Sequence, residues 1–167
     1  MELYLVRHGP AAERDPARWP DDHLRPLSPE GIRETRRAAK GFAREVGPIA
    51  RYLTSPAVRA HRTAEIFRDA HDPPPRLDLL TELEPEGEAS RVLASLSTRR
   101  MPGPIALFGH EPLLGELLGL ALSSDPIRVA RLGKSGAAAL EFPRGIRPGA
   151  AELKWLLTRR QLAALAG

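Results

Sequence analysis

The chain has 167 residues, a formal net charge of +4 and a sequence pI near 10.1, a length that suits one domain over residues 1–167 without covalent or metal staples. It contains no cysteine, which excludes disulfides and thiolate metal sites and fits a reducing compartment. A strand-like run begins after two residues and no apolar run reaches spanning length, so neither a secretory leader nor a membrane span is expected, and the chain reads as a soluble cytoplasmic protein.

The basic excess makes an anionic partner plausible, but charge alone does not choose between nucleic acid, a membrane surface and a small phosphorylated substrate. Only Lys40, Lys134 and Lys154 are lysines among the 25 basic residues. Arginines outside a motif therefore carry no weight.

In chain order, residues 2–6 read as a short buried strand. Residues 9–27 are proline-rich and without period, a loop. Ser28-Pro29-Glu30 starts a helix, with serine as N-cap, proline at the first position and an acid in the first turn, running to about Val46. A strand is expected over 49–53. Ser55-Pro56 repeats the cap-plus-proline signal and opens a helix from about Ala57 to Ala70. A short strand over 76–80, a helix near 88–99, a buried strand over 105–108 and a helix over 112–122 follow. Residues 137–142 and 152–157 read as strands around a turn-rich segment, with a short helix after Thr158. Alternating strands and helices through residue 122 predict an α/β fold, with a mostly parallel sheet covered on both faces and antiparallel strands added at the C-terminus.

Ligands of such sheets sit outside the carboxyl ends of the strands. Arg7-His8-Gly9, Thr54-Ser55 and Gly109-His110 all fall there. Arg59 lies in the first turn of its helix, where the dipole disfavours a cation unless an anion is near. A helix N-terminus with a guanidinium fork makes a phosphate site. His61 and Arg62 point elsewhere and read as surface; His23 and His71 lie in loops. No carboxylate-rich cluster accompanies the histidines, so a metal site is the poorer reading. Two histidines and two arginines suit a tetrahedral anion, with guanidinium forks on its oxygens and one imidazole attacking phosphorus.

Four segments, in order, resemble the histidine phosphatase superfamily, whose folds are phosphoglycerate-mutase-like, and its short SixA-type branch of phosphohistidine phosphatases. They are Arg7-His8-Gly9, Arg25-Pro26-Leu27-Ser28-Pro29-Glu30-Gly31, Ser55-Pro56 through Arg59 to Thr63-Ala64, and Gly109-His110-Glu111-Pro112. The resemblance implies a three-layer α/β/α sandwich and a metal-independent phosphatase without a cofactor. It makes His8 the nucleophile, its Nε2 unprotonated and its Nδ1–H held by a backbone carbonyl. Arg7 and Arg59 grip the phosphoryl oxygens, His110 adds a contact and Arg25 lines the pocket. Glu82 matches the general acid, with Glu84 and Glu86 equally acidic neighbours. The short stretch between Arg59 and His110 leaves little chain for a lid, which favours a phosphohistidine-bearing protein as partner over a small phosphomonoester. Neither nucleic acid nor a membrane is expected as partner. The competing class is a non-catalytic phosphate- or nucleic-acid-binding module. Its support is the arginine content, and against it stands a histidine that a mere binder does not need at the end of strand one.

Overall fold

Side-chain alternation along short apolar strands builds a core on both faces of one sheet. The computed structural model describes residues 1–99 and 101–167. Its elements are β1 (Glu2–Arg7), α1 (Pro29–Glu45), β2 (Arg51–Thr54), α2 (Val58–Arg68), β3 (Arg76–Leu79), α3 (Ala89–Thr98), β4 (Ile105–Gly109), α4 (Leu113–Ser123), β5 (Ala137–Glu141), β6 (Glu152–Leu157) and α5 (Arg159–Leu165). Single 3₁₀ turns lie at Asp22–Leu24 and Thr81–Leu83.

The sheet order is β3-β2-β4-β1-β5-β6. The first four strands are mutually parallel, β5 runs antiparallel to β1, and β6 antiparallel to β5. Leu3, Leu5, Leu53, Ile105 and Leu107 pack on one face against Leu93, Leu96, Leu114, Leu117 and Leu118 of α3 and α4. Their neighbours Tyr4, Val6, Tyr52, Ala106 and Phe108 pack on the other against Phe42 of α1, Phe67 of α2 and Leu162 of α5. This is the period of two expected of strands covered on both sides. Each fully buried leucine or phenylalanine stabilises the fold by about 1.5–3 kcal/mol relative to exposure. The α/β fold expected from the sequence, three layers with antiparallel C-terminal strands, is the fold observed.

Local signals held where they rest on side-chain capping. Ser28 Oγ accepts the Gly31 N–H at 2.9 Å, and Thr158 forms a full capping box with Gln161 at the start of α5. Two expectations shift. β2 begins at Arg51, because Ala50 gives its N–H to the Pro104 carbonyl ahead of the ladder. Ser55 is not the N-cap of α2. Ala57 occupies that position without a side-chain bond, since the Ser55 hydroxyl is turned toward His110.

The register fixes where the polar strand ends meet. Arg7 pairs with Gly109 across β1 and β4, and Thr54 with Phe108 across β2 and β4. The residues that follow, His8, Ser55 and His110, therefore emerge at one level on the carboxyl edge of the sheet.

Candidate active site

At that edge a cleft of about 290 Å³ is lined by Arg7, His8, Arg59, His110, Glu111 and Lys134, with Arg14, Asp22, Arg25, Pro85 and Glu86 around them. A larger depression of about 490 Å³ lies at the opposite ends of β2 and β3, among Pro48, Pro73, Pro74 and Pro75. There His71 is the one histidine, and its Nε2 is taken by the Tyr52 hydroxyl at 2.8 Å. Convergent titratable groups, rather than size, single out the smaller cleft.

His8 is 7 % exposed. Its backbone N–H donates to the Gly109 carbonyl at 3.0 Å, which ties the ends of β1 and β4. Its Nδ1 lies 2.7 Å from the Gly9 carbonyl. A carbonyl only accepts, so Nδ1 carries the proton and Nε2 keeps its lone pair. Gly9 is required by space. An added Cβ would collide with Thr35 Oγ1 and lie 3.0 Å from Ser135 Oγ, a close approach to protein and not to a ligand. The Gly9 N–H donates to Thr63 Oγ1 at 2.9 Å, and that hydroxyl donates to the Arg59 carbonyl at 2.7 Å. The loop after His8 and the first turn of α2 are thereby coupled.

The His110 ring faces the His8 ring with centroids 5.1 Å apart. Its Nε2 lies 3.0 Å from Ser55 Oγ, which also accepts the Ala57 N–H at 3.2 Å. The hydroxyl is thus free to donate to Nε2, leaving Nδ1 buried and unpartnered. Burial pushes the His8 pKa down to about 3, against the opposing hydrogen bond to Gly9, with Arg59 and Arg7 lowering it further. Burial, then His8 and Arg59, push His110 to about 2. Both imidazoles are neutral at physiological pH.

Arg59 is 3 % exposed. The anion demanded by its place in the first turn of α2 is Asp22. The Asp22 carbonyl accepts from Arg59 Nη1 at 2.6 Å and its carboxylate lies 3.1 Å from Nη2. Arg25 donates through Nε to the same carboxylate at 2.8 Å and through Nη1 to the Ala12 carbonyl at 2.8 Å. Arg7 spends Nη1 on the Leu132 carbonyl at 2.9 Å. The Nε–H groups of Arg7 and Arg59 are buried without partners. Three of the five unpartnered buried side-chain polar atoms among the described residues are nitrogens of residues lining this one cleft, which marks a place prepared for an anion.

Arg7, His8, Arg25, Arg59 and His110 thus meet as expected, whereas Glu82 does not. Its side chain lies in a separate groove with Thr81, Glu84 and Arg91. A hydrogen bond to its own backbone leads the effects that hold its carboxyl below the usual range. An acid that stays ionised has no proton to give at neutral pH. The loop after β3 instead contributes Pro85 and Glu86 to the cleft. His61 and Arg62 pair with Glu65 on the surface of α2, as expected.

Sequence reasoning missed three groups. Glu111, next to His110, accepts the Leu132 N–H on Oε1 at 2.9 Å while Oε2 is buried and unpartnered; burial raises its pKa. Asp22 sits in a loop with no period. Residues 132–136 form a wall of the cleft, with the Ser135 N–H shared between the Arg7 and His8 carbonyls at 3.1 and 3.2 Å. The adjacency of Glu111 to His110 and the glycines flanking Lys134-Ser135 were the available signals.

Residues 3–85 match the model of the histidine phosphatase superfamily, branch 1. The chain is 34 % identical over 120 residues to the phosphohistidine phosphatase SixA of Escherichia coli, covering 71 % of this chain and 72 % of that protein. It is also 34 % identical over 157 residues to an uncharacterized protein of Picosynechococcus, covering 92 % and 89 %. Among solved structures it resembles the protein histidine phosphatase SixA complexed with tungstate, at a TM-score of 0.82 and 26 % identity over 97 % of this chain and 99 % of that one. With the motif residues gathered at one sheet edge and relatives of this closeness, the chain belongs to the histidine phosphatase superfamily and is a SixA-like phosphatase.

Proposed function

We propose that the chain removes phosphoryl groups from phosphohistidine on proteins, with His8 as the attacking group. The observation that carries this is the pairing of His8 Nδ1–H with the Gly9 carbonyl, which leaves Nε2 unprotonated in a cleft ringed by unpartnered donors. Nε2 forms a bond to phosphorus as the bond to the substrate imidazole breaks. The phosphoryl group is left on His8, and water then attacks phosphorus to release inorganic phosphate and regenerate the imidazole. Arg7 Nε, Arg59 Nε and His110 Nδ1 aim hydrogen bonds at the oxygens that gather charge in both steps. Loss of one such donor costs about 10²–10³-fold in rate, by the yardstick of oxyanion-hole deletions.

The leaving group bears on substrate class. A protonated phosphohistidine departs as neutral imidazole and asks little of a general acid, which suits a site that Glu82 does not reach. Among the described residues β3, α3 and short turns lie between α2 and β4, which leaves little chain for a lid, and an open cleft admits a side chain presented by another protein. The phosphohistidine and histidine phosphatase names of the similar proteins point the same way. The absence of cysteine suits a reducing cytoplasm.

A small phosphomonoester is the second reading, and Glu111 favours it. A buried carboxyl with a raised pKa beside His110 is the kind of group that protonates an alkoxide. Turnover of a phosphohistidine-bearing carrier domain, set beside a panel of sugar and nucleotide monophosphates, separates the two. Acid-labile labelling of wild type that is lost in His8→Ala supports the mechanism. Rapid hydrolysis of one ester with none of the phosphoprotein would overturn the substrate assignment.

A further inference from the structure

The cleft holds one cation that the motifs do not account for. Lys134 lines it together with Arg7, His8 and His110, carried on residues 132–136, a segment fastened at three points to the end of β1 and at a fourth to Glu111. Arg7 Nη1 donates to the Leu132 carbonyl, and Glu111 accepts the Leu132 N–H. The Arg7 N–H donates to the Gly136 carbonyl at 3.1 Å, and the Ser135 N–H reaches the Arg7 and His8 carbonyls. Ser135 itself takes a left-handed conformation at φ 55° and anchors its buried hydroxyl 2.8 Å from Thr35 Oγ1. A non-glycine residue held at positive φ is uncommon and persists where surrounding contacts over-determine it. The ammonium of Lys134 is thereby presented to the cleft by a rigid support.

Among the described residues that charge has no ion-pair partner. Lys154, by contrast, pairs with Glu141 at 2.9 Å. Among the described residues no carboxylate lies within ion-pair distance of Lys134. Partial burial first, then the cations Arg7, Arg25, Arg159 and Arg131, lower its pKa. Two of these spend their charge elsewhere, Arg25 on Asp22 and Arg159 on Glu34. The carboxylates of the same cleft, Asp22, Glu86 and Glu111, make no ion pair with Lys134, and a cation among stronger cationic neighbours is unfavourable until an anion enters between them.

We infer that Lys134 is a substrate-binding residue, its ammonium taking an oxygen of the phosphoryl group on the Arg7 side of the cleft while Arg59 holds the other side. This rests on the cleft being the phosphoryl site. In the resting enzyme the same ammonium adds to the field that keeps His8 neutral.

Lys134 is exposed, so its replacement leaves the core intact. Isothermal titration of inorganic phosphate into wild type, Lys134→Met and Lys134→Arg at low ionic strength reads the contact directly. Loss of one charge-assisted hydrogen bond at a partly solvated site weakens binding about tenfold. Lys134→Met is expected to show that loss, with a shallower salt dependence. Lys134→Arg is expected to retain affinity within about threefold, and the melting temperatures without phosphate to agree. A role confined to supporting the loop would move the melting temperature and spare the salt dependence. Phosphate affinity of Lys134→Met within twofold of wild type overturns the inference, whatever happens to turnover. Failure of wild type to label on His8 overturns the phosphatase mechanism instead and leaves this titration readable.

Discussion

Asp22 holds Arg59 from two directions, its carbonyl on Nη1 at 2.6 Å and its carboxylate on Nη2 at 3.1 Å. It thereby keeps the proline-rich loop against the first turn of α2. The arrangement leaves Nε buried without a partner. It also sets a negative charge beside the guanidinium proposed to grip phosphate, so on that proposal Asp22 orients Arg59 and competes with phosphate for it.

Asp22→Asn keeps the shape and removes the charge. Product inhibition by inorganic phosphate should then tighten several-fold, since one opposing carboxylate about 3 Å from the binding guanidinium is gone. Inhibition constants in the two proteins check it; an unchanged constant would show that Asp22 is electrostatically silent in the reaction.

The histidines give the fold a predictable pH dependence. His8 and His110 are driven to about 3 and about 2, against about 6.5 in an unfolded chain. Between those values the unfolded state binds more protons than the folded one, so stability rises with pH through this window and is complete above about 6.5. Thermal melts from pH 5 to 8 should be flat above pH 7 and fall below 6.5. His110→Gln should fall less steeply than wild type over pH 5 to 6.5, where few carboxylates titrate. Parallel slopes would contradict a neutral buried pair.

Ser55 acts on phosphate only through His110. Ser55→Ala removes the hydroxyl that fixes the imidazole and should lower kcat about tenfold, by analogy with the outer partners of metal-bound histidines. KM should change little, and Ser55→Thr should recover most of the loss. Steady-state kinetics on one substrate suffices to test this.

The two glutamates make a matched pair. Glu82→Gln should leave turnover of every substrate within about twofold, because its carboxylate lies outside the cleft. Glu111→Gln should lower turnover of alkyl phosphates about 10²-fold while sparing phosphohistidine, whose leaving imidazole needs no acid. Equal losses on both substrate classes would make Glu111 a support for Leu132 and not an acid.

Gly9→Ala tests the packing beneath His8. The added methyl meets the hydroxyls of Thr35 and Ser135, an overpacking worth about 1–3 kcal/mol. Urea denaturation should show that loss together with a larger drop in activity, since the displaced atoms belong to the residue next to His8.

Much of this site is legible in the chain because its parts lie within short segments whose geometry is local. An apolar run ending in Arg7-His8, or in Gly109-His110, fixes a strand and the place where its polar end emerges. Ser28 and Thr158 announce helices through bonds to backbone only three residues away. A cation in the first turn of α2 even announced that an anion must be near. Which anion was a matter of tertiary contact. Asp22 reaches Arg59 across 37 residues, and a loop without period gives no sign of that. The same holds for the wall that carries Lys134, placed by bonds from Leu132, Ser135 and Gly136 to residues more than a hundred positions earlier, and to Glu111. Glu82 is the reverse case. Motif position places it at the site, whereas the 3₁₀ turn at Thr81–Leu83 sets it in a neighbouring groove that shares Glu86 with the cleft. Strand ends and caps are set by neighbours in sequence, and so the sequence determined the fold and the placing of His8, Arg7, Arg59 and His110 at one sheet edge. Counter-charges such as Asp22 and Glu111 depend on which distant loops border the cleft, and only the packed structure decided those.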